Sequence, residues 1–161
     1  MFDRRTLLGG GAAAAITLWI GATHADEGDP RPKAPFQLSD AEWRKRLSPQ
    51  AYAVLRQAAT ERAFTSPLNK EKRQGTFLCA GCDQRLFDSR TKYDSHTGWP
   101  SFWRPLPKAI ATSKDRDLGV ERIEVHCARC GGHLGHVFND GPRPTGLRYC
   151  MNGVAMKFQA T

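Results

Sequence analysis

Five cysteines, and the way they are spaced, constrain this 161-residue chain more than any other feature. Four form two Cys-x-x-Cys pairs, Cys79/Cys82 and Cys127/Cys130, while Cys150 stands alone in Arg148-Tyr149-Cys150-Met151-Asn152. Two such pairs supply the four thiolates of a tetrahedral structural zinc site, each pair gripping one edge. Gly81 and Gly131-Gly132 suit knuckles, tight turns that aim backbone N–H groups at the sulfurs. Forty-four residues separate Cys82 from Cys127, more than the roughly 15–20 of a compact zinc ribbon. The ion is therefore expected to staple distant parts of one domain. Two other readings compete: disulfides, if the chain is exported, and a thioredoxin-like redox pair, for which the flanking βαβ pattern is missing. Two matched pairs favour one structural Zn2+, with no coordination position left open for chemistry. The remaining thiol, Cys150, in a chain that also carries His133 and His136, reads as a nucleophile.

Residues 1–25 read as an export signal of the twin-arginine type. Arg4-Arg5-Thr6-Leu7-Leu8 opens it, a short apolar stretch rich in Gly and Ala follows, and Thr23-His24-Ala25 offers small residues at the cleavage positions. The stretch falls short of the about 20 strongly apolar residues of a membrane span. An uncleaved anchor is the second reading. No cysteine follows the stretch, which argues against a lipoprotein. A periplasmic location is expected, and export in the folded state suits thiolates already held by zinc. Cleavage removes Arg4, Arg5 and Asp3 and lowers the net charge of +8 by one, to +7. Four thiolates on a divalent ion take away two more charges. The Lys and Arg are spread along the chain rather than gathered in a run, which argues against a nucleic-acid partner.

Residues 26–37, polar and proline-containing, are expected to be a flexible linker, and residues 38–161 one domain. Ser39-Asp40-Ala41-Glu42 has capping-box spacing and predicts a short helix through Arg46. Ser48-Pro49 opens a second helix, with Tyr52, Leu55 and Ala59 on its core face. Beyond Thr76 the runs shorten. Thr76 to Leu78, Leu86-Phe87, Val120 to Val125 and Ala155 to Phe158 predict strands, with a bulge in the third because Val120, Ile123 and Val125 do not alternate. The expected architecture is mainly β (α+β), with short helices packed at the N-terminal edge.

Gly98-Trp99-Pro100-Ser101-Phe102, His133-Leu134-Gly135-His136-Val137-Phe138 and the segment around Cys150 remain. Together with the two Cys pairs, Thr60 to Thr65, Thr91 to Ser95 and Asp140-Gly141-Pro142, they resemble the methionine-R-sulfoxide reductases of the B type. The resemblance runs from about Thr60 to Phe158. It implies two antiparallel β-sheets and repair of the R epimer of methionine sulfoxide, mainly in oxidised proteins. It also implies Cys150 as nucleophile, His133 and His136 as proton donors that bind the oxygen, and Asn152 as a polarising group. Arg148, two positions from Cys150 and so on its face of a strand, favours the thiolate. Trp99 holds the substrate methyl group and Phe138 lines the same pocket. Asp140 is a candidate for orienting a histidine. His126 either supports the metal or is exposed.

Two departures from the family stand out. Many members carry a resolving cysteine where this chain has Thr97, so Cys150 sulfenic acid is expected to be reduced by an outside thiol, a thioredoxin-like protein or a small molecule. Gly153 stands where serine is common and is expected to loosen the turn there. A monomer without stable membrane insertion is expected. The rival readings are a zinc-bound adaptor, which leaves Cys150 without a role, and a thiol–disulfide oxidoreductase, which needs a free Cys pair.

Overall fold

The computed structural model describes residues 34–161 except 117, 118 and 120. The export signal, most of the linker and Val120 lie outside the described residues. Helix α1 spans Asp40–Arg46 and opens on the full capping box, with Ser39 Oγ accepting from Glu42 N–H and the Glu42 carboxylate accepting from Ser39 N–H. Helix α2 spans Pro49–Gln57, capped by the Ser48 hydroxyl with proline at its first position. Trp43 of α1 and Tyr52, Val54 and Leu55 of α2 are buried, so both helices sit on the domain by their apolar faces.

Nine strands follow: β1 Gly75–Cys79, β2 Arg85–Asp88, β3 Lys92–Tyr93, β4 Ser101–Phe102, β5 Ile110–Asp115, β6 Arg122–Cys127, β7 His133–Phe138, β8 Arg148–Met151 and β9 Met156–Ala160. They form two antiparallel sheets, β2-β1-β9 and β3-β4-β8-β7-β6-β5. Phe77 and Phe87 of the small sheet meet Phe102 of the large one. Phe87 stacks on Phe102 at 4.3 Å between centroids, Phe77 meets it edge-on at 4.9 Å, and all three are fully buried. This aromatic joint is the centre of the core.

The strand expectations need two adjustments. The third strand begins at Arg122, where polar and apolar residues alternate cleanly through Cys127, and the bulge sits opposite it in β7. Val125 faces Gly135 while His126 faces His133, so Leu134 is the extra residue. The last strand begins at Met156, because Gly153–Ala155 form a 3-10 turn.

Candidate active site and metal centre

The two Cys-x-x-Cys segments are the tips of two hairpins, one from each sheet. Cys79 closes β1 and the chain returns as β2; Cys127 closes β6 and returns as β7. Both tips fold identically. The N–H four residues after the first cysteine returns to its carbonyl, from Asp83 to Cys79 (3.0 Å) and from Gly131 to Cys127 (2.8 Å). The first cysteine's own N–H donates to the residue five ahead, Gln84 or Gly132. Asp83 and Gly131 both take left-handed backbone, at φ 60° and 69°. This geometry turns both thiols of each pair to one side.

All four sulfurs are buried and lie within 4.8 Å of one another. Cys79 and Cys130 are 3.7 Å apart, Cys82 and Cys127 3.5 Å. A disulfide needs about 2.05 Å, whereas a tetrahedral thiolate site with bonds of about 2.3 Å has edges of about 3.8 Å. The donor set therefore fits one metal ion that joins the tips of the two sheets. Four thiols this close share protons rather than ionise together. The hydrogen bond to Cys127 pushes the Cys79 and Cys130 thiols up, and the bond from Cys130 draws Cys127 down. Three guanidinium groups close the shell on knuckle carbonyls: Arg46 on Gly81 (2.5 Å), Arg129 on Cys82 (2.8 Å) and Arg56 on Cys130 (3.1 Å). Their charge offsets that of a thiolate quartet. His126 is buried, which removes its reading as a surface residue.

Cys150 lies on β8, half-buried, paired in register with Ser101 of β4 and His136 of β7. It opens onto a cavity of about 120 Å³ walled also by Thr60, Trp99, Arg122, Gly135, His136, Phe138 and Asn152. Five expected site residues, Cys150, His136, Asn152, Trp99 and Phe138, thus share one cavity. His133 and Arg148 stand behind its walls.

The β7 bulge makes this arrangement possible. Residues three apart on a regular strand point to opposite faces. The extra residue, Leu134, brings the His133 and His136 rings to 5.4 Å. Gly135, between them, has φ 153°, and a Cβ there would stand 2.1 Å from the Cys150 carbonyl oxygen. Only glycine lets β7 lie this close to the strand that carries Cys150.

Each histidine is held by a carboxylate. His133 Nδ1 bonds Glu124 (2.7 Å) and His136 Nε2 bonds Asp115 (2.6 Å). Burial lowers the His136 pKa, against the opposing pull of Asp115. Arg122 grips the same Asp115 oxygen at 2.5 Å, and Ser113 supports Glu124 at 3.0 Å. His133 Nε2 is buried with no hydrogen-bond partner, which leaves it for an incoming group.

Asn152 is committed at both ends: its Oδ1 accepts from Glu61 N–H (2.8 Å) and its Nδ2 donates to the Leu134 carbonyl (3.1 Å). Trp99 Nε1 donates to the Glu61 carbonyl at 2.9 Å, which fixes the indole against the cavity. Asp140 takes both arms of Arg148 at 2.8 Å each and not a histidine, because the chain after Phe138 returns along β8. The Asp140 bond raises the Arg148 pKa, and Cys150 adds in the same direction, so the guanidinium is within electrostatic reach of the sulfur. Arg148 also lies 4.3 Å over the Phe138 ring. Thr97 Oγ1 approaches Cys150 Sγ at 3.7 Å and continues through Ser95 (2.8 Å) to Ser101 (2.7 Å). Gly153 does not loosen its turn: Glu61 accepts its N–H at 2.7 Å, and Ser66 Oγ fills the space a side chain would need.

Thr60, Arg122, Gly135, Asp115 and Glu124 were not singled out from the sequence. A signal existed for two of them. Arg122, Glu124 and His126 alternate with Ile123, Val125 and Cys127, which marks one polar face of a strand.

The chain is similar to known proteins over most of this domain. The family described as the SelR domain matches residues 47–160. A peptide methionine sulfoxide reductase MsrB of Leptospira interrogans serogroup Icterohaemorrhagiae serovar Lai is 55% identical over 122 residues, covering 75% of this chain and 93% of the relative. The chloroplastic peptide methionine sulfoxide reductase B1 of Arabidopsis thaliana is 52% identical over 124 residues, 76% of this chain and 61% of that one. The MsrB of Methanosarcina barkeri is 50% identical over 124 residues, covering 76% and 87%.

Proposed function

The chain belongs to the SelR-domain family of peptide-methionine (R)-S-oxide reductases, and from that premise we propose that Cys150 is the nucleophile of a one-cysteine cycle. The observation that supports it most is the pairing of a half-buried Cys150 with His136 across one small cavity, with the buried, unpartnered Nε2 of His133 behind it.

The sulfoxide enters with its methyl group against Trp99 and its oxygen toward the histidines. His133 holds a proton on Nδ1 for Glu124. In its protonated form it also carries one on Nε2, the atom free to donate. Protonating the oxygen makes the substrate sulfur electrophilic. The Cys150 thiolate attacks that sulfur, the oxygen passes to Cys150 as a sulfenic acid, and the thioether of methionine leaves. One external thiol then condenses with the sulfenic acid to a mixed disulfide and water. A second thiol releases Cys150 as thiol and itself leaves as disulfide. Arg148 favours the thiolate, Phe138 closes the apolar wall, and Asn152 holds β8 against Leu134.

For the metal centre we propose zinc, because four buried thiolates in a closed tetrahedron suit a soft divalent ion without redox chemistry. Cys79, Cys82, Cys127 and Cys130 hold it and it supplies cross-sheet stability. We further propose that residues 1–25 export the chain to the periplasm, on the strength of their twin-arginine pattern and short apolar stretch.

The test is an assay with the two epimers of a methyl sulfoxide and dithiothreitol, on wild type and Cys150→Ser. Turnover of the R epimer alone, lost in the variant, is expected. Full activity in the variant would remove Cys150 from the mechanism.

A further inference from the structure

Phe64 is the one large apolar side chain that stands exposed among the described residues, at 74% of its full exposure. It does so in left-handed backbone, φ 66°, a conformation a bulky residue holds only when its surroundings impose it. The constraint is visible. Phe64 N–H donates to the Gly98 carbonyl (2.8 Å), which also takes Asn69 Nδ2 (2.9 Å). Thr65 Oγ1 braces the turn on the Arg62 carbonyl at 2.6 Å. Gly98 leaves no room between the segments: a Cβ there would come within 2.8 Å of Ala63 and 2.9 Å of the Phe64 ring.

This zipper ties the bare ring to the segment that leads into the wall of the sulfoxide cavity. Gly98 precedes Trp99, whose indole is tied to Glu61, and Trp99 and Thr60 both form the cavity wall. A ring left in water contributes nothing to the core, and its backbone conformation opposes folding. The cavity itself, about 120 Å³, has room for a single side chain. The neighbours of that side chain must therefore lie outside it, and the exposed apolar group joined to its wall through Gly98 and Trp99 is Phe64.

We propose that Phe64 is a specificity-determining contact that receives an apolar side chain next to the oxidised methionine of a polypeptide substrate. The proposal rests on the sulfoxide reading of the Cys150 cavity. The favoured substrates are then sulfoxides in apolar sequence, of the kind that unfolded or damaged chains expose.

Two variants separate function from folding. Phe64→Asn keeps a residue that tolerates left-handed backbone but removes the ring; Phe64→Leu keeps an apolar group. Three R-sulfoxide substrates are compared with dithiothreitol as reductant: an acetylated single residue, a peptide with leucine on both sides, and one with serine on both sides. Phe64→Asn is expected to raise KM for the leucine peptide about fivefold at unchanged kcat, and to leave the other two substrates within twofold. The thermal midpoint should hold or rise, and Phe64→Leu should restore most of the KM. An unchanged leucine-peptide KM overturns the proposal, as does an equal loss on all three substrates or a lower thermal midpoint. A defect seen only when a protein reductant replaces dithiothreitol assigns the ring to the reductant instead, and a shift in sedimentation assigns it to self-association. If wild type leaves the acetylated residue untouched, it is the sulfoxide reading that fails.

Discussion

Thr97 Oγ1 lies 3.7 Å from Cys150 Sγ, in van der Waals contact with it from the position where the family resemblance leads one to expect a second cysteine. A hydroxyl cannot close a disulfide, and the other four cysteines are buried together in the candidate metal site. Enzyme oxidised by substrate without reductant should therefore gain one oxygen on Cys150, read by mass spectrometry of the peptide. Thr97→Cys should instead end as an intramolecular disulfide, losing two hydrogens, because the two side chains already touch.

Gly135 is the tightest point of the site. Gly135→Ala would drive a Cβ to 2.1 Å from the Cys150 carbonyl and strain the backbone at φ 153°. Overpacking of this kind costs about 1–3 kcal/mol, and the strain adds to it. The urea midpoint should fall accordingly, and activity should fall further still, since Cys150 must shift to relieve the clash.

The carboxylates behind the histidines act through them. Glu124→Gln keeps an acceptor for His133 but removes the carboxylate charge that orients it, so kcat should fall by about tenfold. His133→Asn, which removes the proton donor, should cost 10²–10⁴-fold, the usual range for general acid catalysis.

His136 gives folding stability a pH dependence of definite sign. Burial lowers its pKa in the folded chain, so protonation costs more there than in the unfolded one. Stability from this group is complete above about pH 6.5, the ordinary histidine value, and is lost as the pH falls below it. Urea unfolding at pH 7 and pH 5 should show a smaller loss for His136→Gln than for wild type. Equal losses would place the imidazole in water.

A metal ion on the four-cysteine cluster would join a hairpin tip of each sheet, so its removal should loosen both. One zinc ion per chain is expected by elemental analysis. Chelation under denaturing conditions, followed by metal-free refolding, should lower the thermal midpoint by more than 10 °C, given that structural zinc contributes directly to folding.

Much of this architecture was legible because short-range chemistry dictated it. Ser39/Glu42 and Ser48-Pro49 satisfy their own helix ends, and the Cys-x-x-Cys spacing fits a knuckle whatever surrounds it. What escaped was set by strand pairing. Ile110–Asp115 carries too many polar residues to announce a strand, and exists as one because β6 pairs with it along six positions. Asp115 and Glu124 acquire meaning only through that pairing, which sets them behind the histidines. Asp140, four residues past His136 in the chain, looked the nearer partner but is carried back onto Arg148 by the return of β8. The bulge at Leu134, which brings two histidines three apart in the chain to one side of β7, depends on the register of β6 and β7.

The central claim is that one sulfur reacts while four are held in place. A single-turnover experiment tests it most directly: native protein, reduced and freed of thiol, is mixed with excess R-sulfoxide, and thiols and released thioether are counted together. One thioether formed and one accessible thiol consumed per chain, with neither in Cys150→Ser, is the predicted result. Thioether formed by Cys150→Ser, or consumption of thiols from the Cys79/Cys82/Cys127/Cys130 quartet in the native protein, would contradict the account.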